Sequence, residues 1–246
     1  MDRLIFTAMS GAKQVVQRQE IIAQNLANAS TSGYRAATFA ARAVPVGGAG
    51  TTRAFAQEGT MGADLTAGLL QRTGRELDVA VEGNAWLAVQ GSDGREAYTR
   101  AGALQVDQSG LLRAPGGFVV MGDGGPIEIP QDTQVSIARD GTVSATPNTG
   151  SKNAVVTVGR IKLATLNPKE VVRGDDGLFR AADGNPVAAD ERARLVSGTL
   201  EGSNVNTVEA MVGMISAARQ FEMQMRMITT ADTNARSAAQ LLSLGN

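Results

Sequence analysis

The chain has 246 residues, with 23 Lys and Arg, 24 Asp and Glu, no His and no Cys. Without His or Cys it cannot build a Ser-His-Asp or Cys-His nucleophile, a Cys/His zinc site, a disulfide, or a Cys- or His-ligated haem or iron–sulfur centre. A net charge of −1 with no basic run is not the footprint of a nucleic-acid binder, and 4% aromatics beside 29 glycines argue for several small or elongated packing units rather than one large core.

Taken in chain order, Met1-Asp2-Arg3-Leu4 lacks the apolar core of a secretory signal, so no cleaved address is expected. Residues 2–29 contain no Pro and a single Gly, Gly11. Their apolar positions step by 4 and 3 through Ile5, Met9, Ala12, Val16, Gln19, Ala23 and Leu26, with a flanking row of Ala8, Val15 and Ile22. This predicts one helix with an apolar stripe, about 40 Å long. Residues 31–76 follow no period, and Val46 to Thr52 is small and flexible in composition. An extended connector is expected there, with short strands near Ala37 to Val44.

From Leu77 the period drops to two. Strands are expected at Leu77–Val81, Trp86–Val89, Phe118–Val120, Ile127–Ile129, Val135–Ile137, Val155–Leu166 and Arg194–Leu200. The gaps hold Asp93-Gly94, Ser109-Gly110, Asp123-Gly124, Asp140-Gly141, Asp176-Gly177 and Asp183-Gly184. Asp-Gly supplies the backbone conformations of tight hairpin turns, so an antiparallel all-β module is expected.

The C-terminal segment returns to helical spacing. Met211, Met214, Ala218, Phe221, Met225, Ile228, Asp232, Ala235, Ala239 and Leu242 step by 3 and 4 throughout, a coiled-coil pattern. Asn206 and Glu209 mark its start as a capping pair, and the helix should run from about 206 to 243, about 55 Å. Its most apolar stretch, Met211 to Ala218, is far short of the ~20 residues that span a bilayer, so no membrane insertion is expected.

Neither terminal helix can bury its stripe alone, and the economical solution pairs them. The fold class is therefore α+β: paired N- and C-terminal helices, coiled-coil-like, plus a central antiparallel all-β module. The expected organisation is a discontinuous helical domain of residues 1–30 and 203–246, a connector over 31–76, and a β-rich domain over 77–202.

No set of residues forms a catalytic, cofactor or metal constellation. Asp175-Asp176 lies between glycines and reads as a solvated turn; the alternating acids and closing Glu of a calcium loop are missing. The glycine pairs match no phosphate loop. Met223 and Met227 fall off the seam and would be exposed in a lone subunit, which marks a contact. Asp232 occupies a seam position, as a solvent-exposed helix end or as a register device. The candidate functional residues are the seam itself: Ile5, Met9, Val16, Leu26, Met211, Met214, Phe221, Met225, Ile228 and Leu242.

Several stretches carry a family resemblance. Asn25-Leu26-Ala27-Asn28-Ala29-Ser30-Thr31-Ser32-Gly33-Tyr34-Arg35 resembles the signature that closes the first helix of bacterial flagellar rod and hook proteins. Gly198 to Asn206, Val208 to Val212 and Arg219 to Glu222 resemble that family's entry into its last helix, and Leu77 to Gly83 and Tyr98 to Gly102 resemble its middle. Arg173 to Phe179 and Met223-Gln224-Met225 look like its proximal-rod members. The resemblance implies a non-enzymatic subunit of the proximal rod, the drive shaft that crosses the periplasm. It implies export by the flagellar apparatus without a cleaved signal. It also implies terminal helices in the inner tube with the β-module outside, and other proximal and distal rod subunits, copies of itself among them, as partners. Two rivals from other classes stand beside it: a carboxylate-based enzyme that remodels peptidoglycan, and a soluble coiled-coil adaptor that does not polymerise.

Overall fold

The proline-free ends form helices because nothing in them interrupts the backbone ladder. In the computed structural model, which describes residues 2–40, 42–45, 54–57, 61–148 and 155–243, α1 spans Asp2–Ala27 and α2 spans Thr207–Ser243. The architecture is α+β, and the chain divides into two compact units. One holds Met1–Ala29, Ala36–Asp64 and Val205–Asn246; the other holds Ser30–Arg35 and Leu65–Asn204.

In the helical unit α1 and α2 pack antiparallel. The side chain of Gln224 lies on Gly11 and that of Ile22 on Gly213, so eleven residues forward along α1 match eleven backward along α2. The backbone continues into two short antiparallel ribbons, Ala37–Phe39 with Met61–Ala63 and Arg42–Pro45 with Ala54–Gln57. Asn25 ties the first ribbon to α1: its Nδ2 donates to the Ala37 carbonyl at 2.9 Å and its Oδ1 accepts the Ala37 N–H at 2.8 Å. The glycine-rich stretch Val46 to Thr52 lies outside the described residues.

The β unit is built from short antiparallel strands. Its largest sheet among the described residues has nine, ordered Val171–Arg173, Phe179–Ala181, Glu96–Thr99, Ala85–Gln90, Val119–Gly122, Leu112–Arg113, Gln105–Val106, with Gly125–Pro126 on Val119–Gly122 and Leu163–Thr165 on Ala85–Gln90. Thr133–Ile137, Thr142–Pro147 and Val156–Arg160 form a second sheet, and Val79–Val81 pairs with Leu195–Ser197. Val79, Leu87, Val89, Leu104, Leu112, Val120, Val143, Ile161 and Leu195 fill the core.

Three expected strands come out differently. Ile127–Ile129 makes a single bridge, Glu128 to Leu111, because Ile127 and Ile129 bury their side chains while their amides bond to the Val120 and Gly110 carbonyls. Val155–Leu166 divides into Val156–Arg160 and Leu163–Thr165, with Ile161 bridging to Gly122 between them. Arg194–Leu200 divides at Gly198, whose φ of 68° turns the chain from one partner strand, Val79–Val81, to another, Leu70–Arg72.

Burial separates two leucines of the β unit. Leu87 is wholly buried in the central strand, while Leu69 is 80% exposed. Leu87→Ala should cost the β unit about 2–5 kcal/mol in urea unfolding, and Leu69→Ala about 0.5 kcal/mol or less.

Candidate functional site

The cap of α2 forms as its sequence suggests: Asn206 Oδ1 accepts the N–H groups of Val208 and Glu209 at 3.1 and 3.2 Å. Beyond it the covered positions are Ala210, Gly213, Met214, Ala217, Gln220, Phe221, Gln224, Ile228, Ala231 and Ala235, one face of the helix. On α1, Ala8, Ala12, Gln14 and Ile21 are buried. The face that the helices cover is thus made largely of small and amide side chains. Glycine and alanine let the backbones approach closely, which favours this face over a bulkier one.

Many of the large apolar residues lie off that face. Phe6, Met9 and Val16 are exposed on α1, and Val208, Met211, Val212, Ile215, Met223, Met225 and Met227 on α2. Of the seam residues read from the sequence, Leu26, Met214, Phe221 and Ile228 are half-buried. Met9, Val16, Met211 and Met225 are 57%, 37%, 53% and 42% exposed. The side chains of Ile5 and Leu242 lie outside the described residues. Met211, Ala218, Met225 and Asp232 sit one residue beyond Ala210, Ala217, Gln224 and Ala231, a turn of about 100° around the helix. Asp232 is exposed and paired with Arg236 at 2.8 Å.

In the β unit a buried charge junction stands out that sequence patterns did not single out. Glu201 Oε1 accepts Arg35 Nη2 at 2.7 Å and the Gly68 N–H at 2.9 Å; Oε2 accepts Arg100 Nη1 at 3.2 Å. The three side chains are 0%, 1% and 3% exposed for Arg35, Glu201 and Arg100. Arg100 also donates to the carbonyls of Val81, at 2.9 Å, and Gly83. Both guanidiniums lie over the Trp86 ring, Arg100 at 5.2 Å and Arg35 at 5.8 Å, and Phe179 packs against that ring at 4.8 Å. Arg35 Nε and Nη1 and Arg100 Nε have no hydrogen-bond partner, so the ring face supplies the negative potential beside them. Burial pulls the Arg100 guanidinium below its ordinary pKa, Glu201 opposes this, and Arg35 adds to it.

Two neighbours complete the junction. Gly33 takes φ 70°, and a Cβ there would collide with the Arg100 carbonyl and the Ala101 amide. Arg173 stacks 4.6 Å from the Tyr34 ring and donates to the Arg35 carbonyl at 3.1 Å. Arg35, Arg100 and Glu201 all fall in family-like motifs; the only local signal of their role is a charged residue next to apolar or glycine neighbours.

Six aspartates of the β unit are turn residues. Asp93, Asp140, Asp176, Asp183 and Asp190 each accept the N–H two residues on. Asp107 accepts those of Ser109 and Leu111. Among the described residues, every carboxyl whose pKa is displaced is displaced downward, by these bonds or by a neighbouring side chain. For Asp176 the largest cause is Arg180, which it holds through Nη1 at 3.0 Å and Nη2 at 2.6 Å; Asp175 is exposed. An open cleft of about 420 Å³ is lined by Asp123, Arg160, Lys162, Asp190 and Glu191, but Lys162 is paired with Glu96 at 2.8 Å and Asp190 with the Thr165 hydroxyl at 2.7 Å. Among the described residues no acidic cluster is placed to hold a metal ion, and no helix is long and apolar enough to cross a membrane.

Comparison with known proteins places these features. The family described as "Flagella basal body rod protein" matches residues 5–35, "Flagellar hook protein FlgE/F/G D1 domain" matches 80–145, and "Flagellar basal body rod FlgEFG protein C-terminal" matches 196–241. The chain is 49% identical to the flagellar basal-body rod protein FlgF of Escherichia coli over 99% of this chain and 100% of the relative. The same values hold for FlgF of Salmonella typhimurium. It is 30% identical to the flagellar basal-body rod protein FlgG of Bacillus subtilis over 94% and 96% of the two chains.

The turn carboxylates set a pH dependence. A depressed folded-state pKa contributes stability above the unfolded value, about 3.9 for Asp, and that contribution is lost as pH falls through the folded value. Asp176→Asn should therefore lower β-unit stability at neutral pH by about 1 kcal/mol and flatten the acid limb below about pH 4, while Asp175→Asn does neither. Urea unfolding from about pH 7 to about pH 2 reads both effects.

Proposed function

The chain belongs to the flagellar basal-body rod proteins, and from that premise we propose that it is a structural subunit of the proximal rod, the shaft that carries motor torque across the periplasm. One observation carries the reading furthest: the helical unit turns many of its large apolar side chains outward. Val208, Met211, Val212 and Ile215 fall at i, i+3, i+4 and i+7 of α2 and form one exposed stripe. A lone soluble protein rarely keeps such a stripe in water. In a helical stack each stripe meets a different patch on the next copy, an association that repeats without closing.

The seam residues take two roles on this proposal. Leu26, Met214, Phe221 and Ile228 hold α1 to α2 within a subunit. Met9, Val16, Met211 and Met225 join subunits. The partners are other rod subunits, copies of this chain among them, and the flagellar export apparatus that delivers it to the growing rod. The subunit works without catalysis. A general acid needs a carboxyl pKa raised toward neutrality, and each displaced carboxyl among the described residues moves the other way. That supports a shaft component over a peptidoglycan-cutting enzyme.

Met225→Asp and Ile215→Asp should leave the melting of the purified monomer unchanged and abolish rod completion. Phe221→Asp should lower helical content in the monomer as well. Circular dichroism, motility complementation of a deletion strain and images of purified basal bodies test the set. Full rods and normal swimming with Met225→Asp and Ile215→Asp would overturn the proposed contact face.

A further inference from the structure

The chain enters the β unit at Ser30 and leaves it at Asn204, and these two ends of the unit lie side by side. The Gly33 N–H donates to the Glu201 carbonyl at 2.7 Å, and the Asn204 N–H donates to the Tyr34 carbonyl at 3.4 Å. Both contacts advance in the same sense along both segments, so the segments run parallel. Between them lies the ion pair of Arg35 Nη2 and Glu201 Oε1, buried at both ends. Gly68 and Arg100 anchor the same carboxylate from the rest of the unit.

We infer that this junction is a mechanical clamp: it resists tension applied between the chain before Ser30 and the chain after Asn204. The reasoning is geometric. Pulling the entry of one segment against the exit of a parallel neighbour slides the two past each other. The backbone bonds and the ion pair then bear the load together and must fail together, whereas bonds at a hairpin end open one after another. Withdrawal of either segment also strands a charge. If the segment of Glu201 moves, Arg35 and Arg100 are left as two like charges in a dry site. If the segment of Arg35 moves, its guanidinium must leave both Glu201 and Trp86 before it meets water. Removing one partner of a buried pair is far more costly than losing an exposed one. Forced unfolding is governed by the rate of the first rupture, which the clamp sets.

The inference rests on the β unit alone and stands whether or not the chain is a rod subunit. The test uses the full chain held by two thiols, Ser30→Cys and Thr207→Cys, both at exposed hydroxyl residues of a chain that has no cysteine of its own. The lifetime of the β unit is read at constant force. Glu201→Gln keeps an oxygen for Arg35 but sets an uncharged amide between two guanidiniums, and should shorten that lifetime at least about tenfold. Arg35→Met leaves Glu201 paired one-to-one with Arg100; it should shorten the lifetime similarly while the melting temperature of the unit stays close to that of the parent. It decides the question should Glu201→Gln not fold. Glu96→Gln, which breaks the part-buried pair with Lys162 away from the clamp, should leave the lifetime within about twofold. An unchanged lifetime with Arg35→Met, or equal shortening with Glu96→Gln, would overturn the clamp.

Discussion

A carboxylate held in a dry interior by two guanidiniums constrains everything around it. Glu201 cannot be moved, neutralised or left alone without exposing charge to an apolar core, and the cost of that exposure exceeds what most single contacts contribute. The consequence is positional. Segments 166 and 101 residues apart in the chain must reach the same few ångströms before either arginine is satisfied. Gly33 then has to be glycine because the Arg100 backbone passes against it, and the Gly68 amide points inward to fill the second lone pair of Glu201 Oε1. The second arginine makes the site net positive. That surplus is why an indole, with its electron-rich face, lies under both guanidiniums where an aliphatic side chain would leave them bare.

The helical unit obeys a different economy. An ordinary surface helix hides its bulk and shows its polar side. Here Gly11, Gly213 and Ala217 lie on the paired side with glutamines beside them, while Met211, Val212, Ile215, Met223, Met225 and Met227 face out. Gln14 and Gln17 even bury amide oxygens that have no donor. Such a pair gains close backbone contact and leaves much of its apolar surface unburied.

These two features were unequally legible in the sequence. The helices, the β-rich middle and the turn chemistry follow from local rules: an uninterrupted 3-4 spacing, a period of two, and Asp-Gly between strands. The family motifs then named what local rules could not. The side of α2 that meets α1 was legible only in part. Met214, Phe221 and Ile228 stand out by hydrophobicity, but between them Met211 and Met225 are more apolar than their neighbours Ala210 and Gln224, while packing covers the latter. Strand breaks at Gly198 and Ile161 depend on which partner strand lies alongside, which no local pattern encodes. The charge junction was illegible for the same reason at longer range. A charged residue beside apolar neighbours is common at a strand end, and only the fold brings three of them together.

The indole in this junction has a practical consequence. Trp86 is the only tryptophan in the chain, and it is 3% exposed with two cations over its ring. Its ultraviolet emission therefore reports on one spot and one event: the withdrawal of positive charge and the arrival of water when the ends of the β unit separate. The protein carries its own optical gauge of that closure, readable in the unlabelled chain and blind to whatever the terminal helices are doing.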